Sequence, residues 1–176
     1  MMNETSEKLN NQAVTLAAQG HYDEAIACLK RAITVEKTNY LLWFNLGLTY
    51  RDNGDFEDAQ LALERALQID DENEEIIETL ALVCFEQKKY QEAVYYVAIG
   101  MDINSDNAHL WNMLGVIYFN LHDYEFASEA FEQALMLNPY YEEALFNLRD
   151  TYGELHNKVG KEECENRLKQ IQKAKK

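Results

Sequence analysis

Ala25, Ala59, Ala93 and Ala127 stand at a constant step of 34 residues, and an aromatic precedes each by three positions: Tyr22, Phe56, Tyr90 and Tyr124. Eight matches in one register leave little room for chance, so the chain is one structural unit copied head to tail. A unit this short cannot bury an apolar face alone. It must stack on its neighbours, which makes the core a continuous seam. In this register the windows are about 6–39, 40–73, 74–107 and 108–141, with 142–176 left over.

Apolar residues recur at intervals of three and four on both sides of a polar break in each window, which predicts two helices of ~14 residues per unit. The breaks read AQGHY, DNGDF, EQKKY and NLHDY. Gly20 and Gly54 are suited to the left-handed conformation that ends a first helix, whereas Lys88 and His122 hold that slot in the later copies. A side chain resists that conformation, so these two turns are expected to close by another route. Small residues at Ala13, Gly47, Ala81 and Gly115 on the first helix face Ala25, Ala59, Ala93 and Ala127 on the second, which lets the two backbones approach closely. Asn73 and Asn107 are placed to cap the helices that follow them, and Asn138 with Pro139 reads as a cap with proline at the first helical position. The leftover segment opens like a fifth first helix, with Leu145, Leu148 and Tyr152. Where the next alanine is due it has Lys161, and from there Cys164, Leu168 and Ile171 form a single stripe. An incomplete fifth unit ending in a polar-backed capping helix is expected.

The fourth window carries the fullest pattern: Trp111, Leu114, Gly115 and Tyr118, then Ala127, Phe131 and Ala134, then Pro139. This order, W-x2-L-G-x2-Y followed by A-x3-F and a closing proline, resembles the tetratricopeptide repeat (TPR). The resemblance covers about residues 6–141 and implies an all-α fold, a right-handed α-solenoid of TPR helix hairpins with a C-terminal capping helix, forming a single TPR domain over 1–176. It also implies a docking surface for another protein and no chemistry of its own.

In the family the first helices line a concave groove. Carried over position by position, that groove takes Leu41, Phe44, Leu48, Arg51 and Asp52 from the second window and Glu75, Glu78, Leu82, Phe85 and Glu86 from the third. The fourth supplies His109, Asn112, Val116, Phe119 and Asn120, and the fifth Glu143, Phe146 and Asp150. The trough is aromatic and aliphatic with acidic flanks. Members that hold a chaperone's acidic tail use Lys, Asn and Arg at positions occupied here by Asn10, Val14, Asn45, Glu75 and Thr79; only Asn45 fits, and Glu75 would repel a carboxylate. A patch of Phe44, Phe85, Phe119 and Phe146 would be larger than a monomer usually leaves bare, which marks an interaction site unless the rings pack between neighbouring first helices. Asn45 and Asn112 are suited either to a ligand backbone or to local groups.

Charge narrows the partner. The net charge is -15 with four lysines (Lys169, Lys173, Lys175 and Lys176) at the end, so the rest is more acidic still. Such a body repels nucleic acid and anionic lipid and favours a basic or apolar protein segment. The start, MMNETSEKLNNQ, lacks the basic and apolar regions of an export leader, and three widely spaced cysteines argue for small core residues in a reducing, cytoplasmic setting. The four histidines have no metal-ligand spacing, and the acid pairs Glu74–Glu75, Glu142–Glu143 and Glu162–Glu163 are adjacent and diverge around their helices. No catalytic residue, metal or cofactor is expected. The function this supports is a non-enzymatic scaffold or adaptor. A small acidic TPR chaperone for a hydrophobic secretion substrate, and a regulatory or self-assembling subunit of a larger complex, are the alternatives, and a homo-oligomer is compatible with the sequence.

Overall fold

The computed structural model describes residues 5–175. The first four residues of the start read above for a leader, and Lys176 of the basic end, lie outside that range. Among the described residues there are ten α-helices and no strand: α1 Ser6–Ala18, α2 Tyr22–Val35, α3 Tyr40–Asn53, α4 Phe56–Leu67, α5 Glu74–Glu86, α6 Tyr90–Ile103, α7 Ala108–Asn120, α8 Tyr124–Leu137, α9 Glu142–Glu154 and α10 Lys158–Ala174. The 34-residue step places every first helix at its expected start. Two compact units divide the chain, residues 1–96 and 97–176, with the division inside α6.

In the first unit each helix packs on the one before it from α1 to α5, and the first helices also touch one another, α1 with α3 and α3 with α5. The second unit repeats the scheme from α7 to α10, with α7 touching α9. Close backbone approach within a hairpin rests on two glycines. A Cβ on Gly47 would sit 2.5 Å from Leu63 Cγ, and one on Gly115 would sit 2.5 Å from the Phe131 ring. Leu63 and Phe131 are almost wholly buried, so the large residue of the second helix fills the space that the glycine of the first leaves.

The turns inside the hairpins correct the sequence reading. Lys88 and His122 have φ of 60° and 62°, the same left-handed conformation as Gly20 and Gly54, and His156 joins them at 55°. The hydrogen bonds are the same too. Asp55 N–H donates to Tyr50 O at 2.9 Å, Lys89 N–H to Cys84 O at 2.9 Å and Asp123 N–H to Tyr118 O at 3.0 Å. Closing the helix end this way satisfies carbonyls that would otherwise be orphaned, and the packing of the hairpin outweighs the ~1 kcal/mol or more that a side chain costs there.

Asn73 and Asn107 cap as expected, accepting from Ile76 N–H at 3.2 Å and from His109 N–H at 2.9 Å. Asn138 does not. It ends α8, with its N–H on Ala134 O at 2.9 Å, and α9 begins only at Glu142 with Tyr141 in the cap position. Pro139 therefore lies in the turn, where the register puts Ser105 in the previous unit. The segment after the fourth window forms two helices, α9 and α10. α10 packs on α9 with Cys164 and Leu168 buried and Ile171 half-buried, and Gly160 allows the Tyr152 ring to lie where a Cβ would meet it at 2.6 Å. All three cysteines are free and buried.

Candidate functional site

The candidate groove residues fall on the first-helix face of each unit. In the first unit Phe44 is 5% exposed and belongs to the core. The ring follows the packed course, because α5 stacks on α3 and encloses it. Leu41 remains exposed, Leu48, Leu82 and Phe85 are half-buried, and the Phe85 ring leans on Tyr90 at 5.8 Å between centroids. Glu75 and Glu86 are exposed and Glu78 half-buried along the same face. Arg51 is clamped by its neighbour Asp52 at 2.7 Å, which leaves the wall without an unopposed cation from that position. The asparagine bonds locally: Asn45 Nδ2 donates to Asn10 Oδ1 at 2.8 Å across α1 and α3. Thr79 Oγ1 donates to Glu75 O in its own helix at 2.7 Å.

The second unit repeats the asparagine pair one hundred and two residues on. Asn147 Nδ2 donates to Asn112 Oδ1 at 3.0 Å, and Asn112 Nδ2 donates to Glu143 Oε1 at 3.2 Å. Asn112 is buried with both ends of its amide engaged, so it joins α7 to α9 and is withdrawn from a ligand. Beside this link lies a cleft of about 170 Å³ lined by Val116, Phe119, Asn120, Phe131, Asn147 and Asp150. Val116 and Phe119 form its half-buried apolar wall, and Phe119 rests on Tyr124 at 5.3 Å as Phe85 rests on Tyr90. Phe146 is 38% exposed, with the Arg149 guanidinium 5.1 Å from its ring centroid and Asp150 holding that guanidinium at 2.6 Å. The four phenylalanines thus part company: one is core, two are half-buried and one is open.

The other aromatics now have places. Tyr96 is buried and donates to Glu64 Oε1 at 3.2 Å; burial and that carboxylate push its hydroxyl well above the ordinary range. Tyr95, Phe126 and Tyr140 are exposed, and Tyr141 donates to or accepts from His109 Nδ1 at 2.9 Å. Sequence reasoning about the groove passed over a second set of cavities, on the face of the hairpins formed with the second helices. One of about 500 Å³ is lined by Lys30, Trp43, Tyr50, Asp58 and Glu64, and one of about 430 Å³ by Trp111, Tyr118, Phe126, Glu129 and Glu132. The two tryptophans, 68 residues apart, were the available signal. Among the described residues no group of three or more His, Cys, Asp or Glu is arranged to hold a metal ion. No described helix is long and apolar enough to cross a membrane.

Two family models match the chain. The one described as anaphase-promoting complex, cyclosome, subunit 3 matches residues 18–98, and the one described as tetratricopeptide repeat matches residues 108–141. The chain carries tetratricopeptide repeats. No curated protein matches this TPR chain significantly. Among solved structures, MamA residues 41-end from Desulfovibrio magneticus RS-1 aligns with a TM-score of 0.79 at 17% identity, covering 98% of this chain and 96% of that one. The pilF protein of Pseudomonas aeruginosa gives 0.80 at 17% identity, covering 94% and 76%. YrrB, described as a TPR protein with an unusual peptide-binding site, gives 0.74 at 19% identity, covering 97% and 88%. At these identities the likeness establishes the fold, an all-α TPR solenoid.

Proposed function

We propose that this chain works as a single TPR domain, a non-enzymatic adaptor that holds a basic or apolar segment of another protein against its first-helix faces. The observation that carries this reading is the composition left at the surface after packing. In the first unit Leu48, Leu82 and Phe85 are half-buried on the face that carries the exposed Glu75 and Glu86; in the second, Val116 and Phe119 line a cleft together with Asp150. Apolar side chains between carboxylates suit a segment with apolar anchors and flanking Lys or Arg, bound as a helix or an extended strand. Glu75 stands where a tail carboxylate would need a cation, which speaks against an acidic chaperone tail. The three free, buried cysteines are compatible with a reducing compartment such as the cytoplasm.

The test is selection of peptides from a displayed random library on the intact chain, followed by affinity measurement with variants. Selected sequences are expected to be rich in Lys or Arg and apolar residues. Phe85→Glu and Phe119→Glu are each expected to abolish or sharply weaken binding while the helical circular dichroism signal is kept. Undiminished binding by both variants would remove the first-helix faces from consideration.

A further inference from the structure

We propose that the second-helix-side cavity of the fourth hairpin is a separate contact site, which takes an arginine or lysine side chain from a basic segment of a partner protein. The cavity, about 430 Å³, has three aromatic walls and two carboxylates: Trp111 and Tyr118 from α7, with Phe126, Glu129 and Glu132 from α8. Tyr118 stacks on Phe126 with centroids 5.4 Å apart and an interplanar angle of 24°. The Trp111 indole N–H is already spent on Ser105 O at 3.0 Å, so the ring contributes its aromatic surface. Aromatic faces beside carboxylates are what a desolvating cation seeks.

The chain supplies its own precedent. In the matching cavity of the second hairpin Trp43 and Tyr50 hold the same register, and there Lys30 Nζ sits 5.5 Å from the Tyr50 ring centroid, with Asp58 and Glu64 alongside. The residue two windows after Lys30 is Ala98, and between Lys89 and Arg149 the sequence contains no Lys or Arg at all, against nine acids. The fourth hairpin therefore has the receptor for a cation without a lysine in the place that serves the second. Glu132 also accepts from Tyr152 Oη at 2.6 Å, which fixes one carboxylate at the rim. Charge complementarity commits the occupant to a basic segment. Val116 and Phe119 lie on a different face of α7, so the site stands whether or not the first-helix reading does.

The test uses the full chain with Trp43→Phe, which leaves Trp111 as the one remaining tryptophan. Its fluorescence is followed during titration with an acetylated, amidated Gly-Arg repeat peptide and with the same peptide carrying citrulline, which keeps the shape of arginine and loses its charge. A saturable change with the arginine peptide only is expected. Phe126→Ala and the pair Glu129→Gln with Glu132→Gln are each expected to weaken it roughly tenfold or more, as loss of a cation–aromatic or cation–carboxylate contact implies. Ala98→Lys, which restores the internal cation, is expected to close the site, while Phe119→Glu leaves it unchanged. An equal response to the citrulline peptide would make the cavity a merely apolar one. Binding insensitive to Phe126→Ala, to the double glutamine variant and to Ala98→Lys would reduce the effect to general attraction by an acidic chain. A concentration-dependent dimer that the glutamine variant dissolves would show the occupant to be a second copy. Each of these three results overturns the proposal.

Discussion

Replacing Gly115 with alanine sets two effects of opposite sign against each other, and the structure says which wins. In a helix interior alanine is favoured over glycine by about 1 kcal/mol, because the unfolded chain loses less freedom. Against that, the new methyl would lie 2.5 Å from one Phe131 ring atom and within 2.8 Å of two more, where ordinary contact begins near 3.4 Å. Phe131 is 1% exposed and packed among Ala127, Ala134, Leu145 and Leu148, with only the small cleft of about 170 Å³ on its open side, so the ring can withdraw little. Overpacking of this kind costs about 1–3 kcal/mol, and contact with three ring atoms puts it at the upper end. The net expectation is a loss of about 2 kcal/mol, or roughly 4–8 °C in melting temperature for a chain of this size. Gly153→Ala is the control: its methyl meets only Lys161 Nζ at 3.9 Å, so up to about 1 kcal/mol of gain stands unopposed. Thermal and urea unfolding followed by circular dichroism would read both. Gly115→Ala combined with Phe131→Leu recreates the Ala13 and Leu29 combination of the first hairpin and should recover part of the loss. Gly115→Ala matching or exceeding Gly153→Ala in stability would mean that the Phe131 ring yields and that the close approach does not depend on glycine.

Lys88→Gly is expected to stabilise by about 1 kcal/mol, since φ of 60° strains a side chain and suits glycine; a fall in urea midpoint would contradict the strain. Burial, seconded by the Glu92 carboxylate, pushes the Cys84 thiol from 9.0 up to about 12. The folded chain then keeps a proton that the unfolded chain releases, so stability is full below pH 9 and falls as pH rises toward about 12. A urea midpoint that stays level across that window would count against it. The same burial should leave Cys28, Cys84 and Cys164 inert to a thiol reagent until the chain unfolds; rapid modification of the native protein would disagree. Asn147→Ala leaves the buried Asn112 carbonyl without its donor, with an expected cost of about 1–3 kcal/mol, whereas Asn120→Ala, on the exposed lip, should cost under about 1.

The period of 34 carried most of the fold, because the stacking of identical hairpins demands the same small and aromatic residues at each copy. Helix starts and the paired small residues were legible for that reason. What the period could not show is how far each copy is covered. Phe44 and Phe146 occupy the same window position, yet one is 5% exposed and the other 38%. α3 has α5 stacked on it, whereas among the described residues no later first helix packs on α9. Burial at that position is a property of the neighbour. The turns failed for a related reason: local preference puts glycine at φ near 60°, but the packed hairpin imposes that angle on Lys88, His122 and His156 regardless. Asn138 with Pro139 mimicked a cap, and the register of the array placed the helix start three residues beyond the proline. The asparagine pairs, spaced 35 residues apart, were visible as letters, but only the packing of α1 on α3 and α7 on α9 shows that they bond to each other.

In the function proposed above, the half-buried apolar residues of the first helices receive another protein's segment. Nuclear magnetic resonance of the isotope-labelled chain, titrated with a library-selected basic and apolar peptide, tests it directly. The largest shifts are expected to gather on Val116, Phe119, Asn120 and Asp150, with a second group on Leu48, Leu82 and Phe85. Shifts confined to the second-helix faces, with those seven residues unmoved at saturation, would contradict it.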